Sequence, residues 1–241
     1  MRLLLLSLLI GYSSLSLSKT DYSVKTYIPK KAYVYVYEIQ WQKEIVFEDF
    51  PDSYLHYFPA LIEYESCISL RWNSCWDPTS NFKTSREYGA GLGQLTKAYR
   101  KDGTIRFDTL SALAKKHSNY LKDLSWSNVL QRADLQIRAI LLLSKDNYRW
   151  VKTYTEDPVV VLAFMDSAYN GGLGGLNKDR RYCGLEKGCD PTKWSDHVET
   201  HSLKSRKKLY GDRSAYDINR HHVNDVLNNR MGKYRFFYTF E

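Results

Sequence analysis

Three stretches of this chain carry residues whose types and spacing can do chemistry. They are ALIEYESC with Glu63 and Glu65, REYGAGLGQLT with Gly89, Gly91 and Gly93, and AYNGG with Tyr169 and Asn170 ahead of a double glycine. Two residues apart on a helix means side chains about 200° apart. Glu63 and Glu65 therefore cannot act as a pair, and one must face the core or a cleft while the other faces water. A carboxyl on the apolar side is desolvated, which favours its protonated form and suits a general acid at neutral pH. The plainer reading of the same spacing is two surface glutamates on an ordinary helix.

Glycine weakens the interior of a helix or strand, so three at alternate positions point to a backbone that needs unusual dihedrals or close contact with a neighbour. The stretch lacks the Lys and Ser/Thr of a phosphate-binding loop and the spacing of a dinucleotide fingerprint. A neutral ligand or a catalytic side chain held against the backbone remains.

The elements that must position these groups are mostly helical. Ala60, Leu61, Tyr64 and Ile68 fall on one face by the i, i+3/i+4 rule. RFDTLSALAKKHSNYL predicts a helix capped by Asp108 or Thr109, and RADLQIRAILLLSKDNYRWV a second, buried one. DPVVVLAFMDSAYNGG predicts a third, with Pro158 in its first turn and glycine at its end. The stretches flanking the glycine cluster are expected to be helical as well. KAYVYVYEIQW alternates as a strand would, yet residues 31–50 as a whole fit a helix equally. The expected layout is a mainly α chain. It has a signal segment over 1–18, a lead-in over 19–50, a main domain over 51–212 and a basic C-terminal extension over 213–241 packed on it.

Composition narrows the setting. Hydrophobic residues make up 43% and charged residues 26% of the 241, as in ordinary globular proteins. The leader MRLLLLSLLIGYSSLSLSK has an apolar run, Leu3 to Ile10, far short of the roughly 20 residues that span a bilayer, and fits a secretory signal. Arg2 is the one basic residue of segment 1–18, so the exported chain keeps a net charge of +7, from 34 basic and 27 acidic residues. An exported basic protein meets an anionic envelope rather than nucleic acid. Export also favours two local disulfides, Cys67–Cys75 and Cys183–Cys189. The rival is a zinc site built from Cys183, Cys189, His197 and His201, with HVETH placing both histidines on one helix face.

In order, Glu65-Ser66, Trp76-Asp77-Pro78, Ser85 through Gln94 (SREYGAGLGQ) and Ala168-Tyr169-Asn170 resemble the motifs of the soluble lytic transglycosylase family, a branch of the lysozyme-like superfamily. The matches span residues 60–176. The chain departs from the pattern at Tyr88, which stands where the family's first loop glycine would be, and in the stretched segments from Glu65 to Trp76 and from Pro78 to Ser85. The resemblance implies a lysozyme-like fold of goose-type lysozyme or transglycosylase kind. It implies cleavage of peptidoglycan glycan strands in the periplasm or cell envelope, by a bacterial remodelling enzyme or a phage endolysin. Glu65 would be the single catalytic carboxyl, acting without cofactor or metal. Ser66, Gly91, Leu92, Gln94, Tyr169 and Asn170 would line the sugar site, with Tyr169 packed against or bonded to Glu65. A monomer, at most peripheral to a membrane, would suffice. Two alternatives stand beside it. One is a hydrolase that uses Asp77 or Glu87 as a second carboxylate. The other is a wall-binding module without catalysis.

Overall fold

The computed structural model describes residues 23–67 and 69–239. The expected signal segment and Ile68 lie outside them. The chain is mainly helical with a small antiparallel sheet. Helix α1 (Ala32–Val46) buries Ala32, Val36, Ile39 and Val46 and turns Tyr33, Tyr37 and Trp41 to solvent, so the strand reading of this stretch gives way to the helical one. Helix α2 (Tyr57–Ser66) carries both glutamates and ends at Cys67.

Next come four strands, β1 (Asn81–Lys83), β2 (Glu87–Ala90), β3 (Leu95–Tyr99) and β4 (Ile105–Asp108), paired in sequence order as an antiparallel meander. The glycine stretch is therefore the turn between β2 and β3, with Gly89 opposite Thr96 and Ala90 opposite Leu95. This corrects the helical expectation on either side of it. Asp108 then caps α3 (Thr109–Lys116) by accepting from the Ser111 amide, and a short α4 (Ser118–Leu121) follows.

The long α5 (Ala133–Val151) and apolar α6 (Pro158–Gly171) form the centre of the fold. Asp157 caps α6 by accepting from the Val159 and Val160 amides, Pro158 occupies its first turn, and Gly172 at φ +76° ends it. Helix α7 (Leu173–Leu185) follows, then strands β5 (Lys208–Tyr210) and β6 (Arg213–Ser214), and then α8 (Ala215–Asn224) behind a Ser214/Asp217 capping box. A π-helical turn (Asp225–Arg230) and a 3₁₀ segment (Met231–Phe237) complete the described chain.

One core runs from Ala32 to Tyr238, so the expected lead-in and C-terminal extension are both part of it. Asp179 on α7 ties α8 down, accepting from Arg220 Nη2 at 3.1 Å and from Lys204, Ser202 and the Leu203 amide. The disulfides Cys67–Cys75 and Cys183–Cys189 are both formed. That removes the zinc alternative, whose histidines are otherwise engaged as well. His197 Nδ1 accepts from the Asp190 amide at 3.0 Å, and His201 Nδ1 lies 2.8 Å from the His197 carbonyl. The HVETH stretch is a single turn that follows a break at Ser195 and Asp196, with the His201 amide donating to the His197 carbonyl at 3.1 Å. Among the described residues, no group of three or more His, Cys, Asp or Glu is arranged to hold a metal ion.

The two bridges close loops of 8 and 6 residues. Loops that short constrain the unfolded chain by about 2 kcal/mol each at 25 °C. Reduction is therefore expected to lower the urea midpoint measurably, with Cys67→Ala/Cys75→Ala losing about as much as Cys183→Ala/Cys189→Ala.

Candidate functional site

The two glutamates of α2 separate as the helix geometry requires, but neither is simply a surface residue. Glu63 is fully buried. Its Oε1 accepts from Arg230 Nη1 at 2.8 Å and Lys233 Nζ at 2.7 Å, and its Oε2 from the Tyr234 hydroxyl at 2.6 Å. The expectation that one of the two faces water fails here, because the C-terminal segment covers Glu63 with two cations and a phenol.

Glu65, on the last turn of α2, keeps 15% of its side chain exposed. Its Oε1 lies 2.7 Å from His222 Nε2, and His222 Nδ1 lies 2.6 Å from Asp166 Oδ2. Tyr57 donates its hydroxyl to the other Asp166 oxygen at 2.9 Å. Glu65, His222, Asp166 and Tyr57 thus form a hydrogen-bonded chain drawn from α2, α6 and α8, with the His222 and Asp166 side chains wholly buried. The Tyr64 ring packs over the imidazole, with centroids 4.3 Å apart.

Burial alone would pull the His222 imidazole down. The Asp166 and Glu65 carboxylates on its two nitrogens overcome this and push it up to about 10 from the ordinary 6.5. A folded-state value raised in this way contributes stability that is fully present below pH 6.5 and is lost as the pH rises through about 10. Wild-type thermal unfolding is therefore expected to move to lower temperature between neutral pH and pH 10. In His222→Gln the decline should be shallower, read by circular dichroism at each pH. An equal slope in the variant would remove the imidazolium as its source.

The glycine turn lies against the same region through α6. Tyr169 donates its hydroxyl to the Gly93 carbonyl at 2.8 Å, and a Cβ at Gly93 would come within 2.6 Å of that hydroxyl. Burial, then the charges of Glu65 and Asp166, push the Tyr169 phenol well above its ordinary range, so it stays a donor. Tyr169 thus bonds the turn rather than Glu65, whose charge it nevertheless feels. Gly91 has φ +74°, and a side chain there would run into the Gln136 amide. Gln136, fully buried on α5, accepts from the Leu92 amide at 2.8 Å and donates to the Pro78 carbonyl at 2.9 Å.

The remaining expected site residues divide. Gln94 is half-buried and donates to the Gly91 carbonyl at 2.9 Å, which braces the turn. Leu92 is core and offers a ligand no side chain. Ser66 is also buried. Its hydroxyl donates to the Ile62 carbonyl and accepts from the Trp76 amide at 3.2 Å, a backbone contact that fixes the loop after α2. Asn170 is exposed, with its carbonyl oxygen taken by Asn219 at 3.1 Å, which leaves the NH₂ as the group it can offer. Asp77 is held by Lys31 at 3.3 Å and by Thr79 at 2.7 Å. Although burial works against it, these partners hold the Asp77 carboxyl below the usual range. Glu87 sits half-buried on β2.

Sequence reading missed His222, Asp166, Tyr57, Gln136 and Asn219. One signal was available: Asp166 is a lone carboxylate inside the apolar run VVVLAFMDSA, a position that demands a partner. His222 gave none, since INRHHVND reads as a solvated basic helix. The chain matches no protein-family model, no curated protein and no solved structure.

Proposed function

We propose that the chain is an exported, lysozyme-like peptidoglycan lytic transglycosylase with Glu65 as its single general acid and base. The observation that carries this reading is the convergence on one region of three stretches far apart in sequence. Glu65 is the partly exposed end of an otherwise buried hydrogen-bonded chain, and Tyr169 beside it bonds the glycine turn at Gly93. In the acid step Glu65 would protonate the oxygen bridging N-acetylmuramic acid and N-acetylglucosamine, breaking the bond at C1. In the base step the resulting carboxylate would take the proton of the muramoyl 6-hydroxyl as that oxygen closes on C1. A 1,6-anhydro ring forms, and the proton is back on Glu65. The substrate's own N-acetyl group would stabilise the cation between the steps. No water is consumed.

Hydrolysis is less well supported, because activating water in an inverting route needs a second carboxylate open to solvent. Asp166, the carboxylate linked to Glu65 through His222, is sealed from solvent, and Asp77 is engaged by Lys31 and Thr79, which leaves Glu87, half-buried on β2, as the candidate for a hydrolytic route. Mass spectrometry of the soluble products from purified peptidoglycan tests the reading. Anhydromuramoyl ends from the wild type, absent with Glu65→Gln, are expected. Reducing ends lost with Glu65 would make the protein a hydrolase, and no products from either would sink the mechanism and favour a wall-binding module.

A further inference from the structure

We propose that His222, clamped from behind by Asp166 and Tyr57, is the positioning residue of this site, holding Oε1 of Glu65 so that Oε2 is presented to the substrate. This role rests on the reading of Glu65 as acid and base. Both imidazole nitrogens face carboxylate oxygens, at 2.6 and 2.7 Å. With Glu65 ionised, or carrying its proton on Oε2, Oε1 can only accept, and both ring nitrogens must then carry protons for both contacts to be hydrogen bonds. The ring is thus an imidazolium whose charge is already balanced by Asp166, and Glu65 is not needed as its counter-ion. With Glu65 protonated, the array Glu65–His222–Asp166 is neutral. With the proton delivered to the bridging oxygen, it carries one negative charge opposite the sugar cation. His222 keeps both its protons throughout. Its Nε2–H bond to Glu65 is to a neutral carboxyl before transfer and to a carboxylate after it, and the second is the stronger. The histidine therefore favours the state formed as the glycosidic bond breaks, besides fixing the rotamer from which Glu65 delivers its proton.

The charge balance takes in every neighbouring element. From α2 come Tyr57 and Tyr64, from α6 Asp166 and Tyr169, and from α8 itself His221, whose ring lies 6.0 Å from that of Tyr64. From β6 comes Arg213, which acts on Tyr64, and from the π-helical turn Asp225 and Arg230, which are paired with each other at 2.6 Å.

The test is kcat and KM on purified peptidoglycan between about pH 4 and 9 for the wild type, Glu65→Gln, His222→Gln and Asp166→Asn, each first shown to be folded by its melt. Asp166→Asn keeps an acceptor for Nδ1 but removes the charge that maintains the imidazolium. In both second-site variants the charged form of Glu65 loses its cationic partner. The alkaline limb of kcat/KM should therefore move up by about one pH unit or more, with kcat down about tenfold and KM little changed. Addition of His222→Gln to Glu65→Gln should cost nothing further. A role confined to folding would lower activity without moving the limb. Wild-type kcat and an unmoved limb in folded His222→Gln, with Glu65→Gln inactive, would overturn the proposal and leave the Glu65 assignment standing. A fully active Glu65→Gln would overturn that assignment itself. Nitrogen NMR of the wild type needs no variant: both His222 ring nitrogens should be protonated at pH 8, and a bare Nε2 would sink the proposal.

Discussion

Glu63→Ala is expected to lower the free energy of unfolding by about 3–5 kcal/mol, the usual cost of removing one partner from a buried ionic cluster. The carboxylate it deletes is wholly buried and accepts three hydrogen bonds, from Arg230, Lys233 and Tyr234. Arg230 would keep Asp225 at 2.6 Å, but Lys233 would be left with the Tyr27 carbonyl and the Tyr234 ring, neutral partners for a buried cation. Domains are stable by about 5–15 kcal/mol, so the loss would remove a large share of the total. Urea unfolding gives the magnitude. A shift below about 1 kcal/mol would mean that the cluster adds no net stability. Glu63→Gln, which keeps the shape and can still bond Tyr234, should lose less than Glu63→Ala. Activity per folded molecule should survive in both, because Glu63 has no contact with the Glu65 chain.

How far the sequence announced these features depends on where each signal lay. The three helices from Thr109, Ala133 and Pro158 were legible because Asp108 caps the first, apolar periodicity marks the second, and Asp157 with Pro158 opens the third. Helix α1 was ambiguous for a physical reason. Its solvent face carries Tyr33, Tyr37 and Trp41, while its buried face includes Gln42 and Lys43, which bond Arg138 and Asp52. Apolar residues therefore do not mark the inward side. The sheet was missed because its strands are three to five residues long and expose Phe82, Ile105 and Phe107, leaving no inside-outside alternation to read. The motifs located Glu65, Tyr169 and the glycine turn. They could not locate His222, 157 residues from Glu65 along the chain, because its burial depends on how α8 docks on α6. That docking is held by Asn219, which exchanges hydrogen bonds with Ser167 at 3.0 Å, a long-range pairing with no local pattern.

Glu65→Gln is expected to abolish glycan cleavage while leaving the protein folded, the reverse of Glu63→Ala two residues away. The amide has the shape of the carboxyl, and its oxygen can still accept the His222 Nε2–H bond that Glu65 accepts at 2.7 Å. The imidazolium keeps Asp166 as counter-ion, so no buried charge is orphaned and the melting temperature should change little. An amide, however, neither gives up a proton to a leaving oxygen nor takes one from a hydroxyl at neutral pH. Both steps of the proposed reaction lose their agent together. A positioned acid or base supplies about 10²–10⁴ in rate. Because one residue here serves in both roles, the loss should reach the upper end of that range, on the order of 5 kcal/mol in the barrier. Initial rates of release of soluble glycan, taken beside a melt of the same preparation, decide the matter. A folded, inactive Glu65→Gln beside an unstable but active Glu63→Ala would assign chemistry to one glutamate and architecture to the other. If Glu65→Gln instead unfolds while retaining its rate per folded molecule, the Glu65–His222–Asp166 chain is a structural buttress, and the reacting carboxyl must be sought elsewhere on the protein.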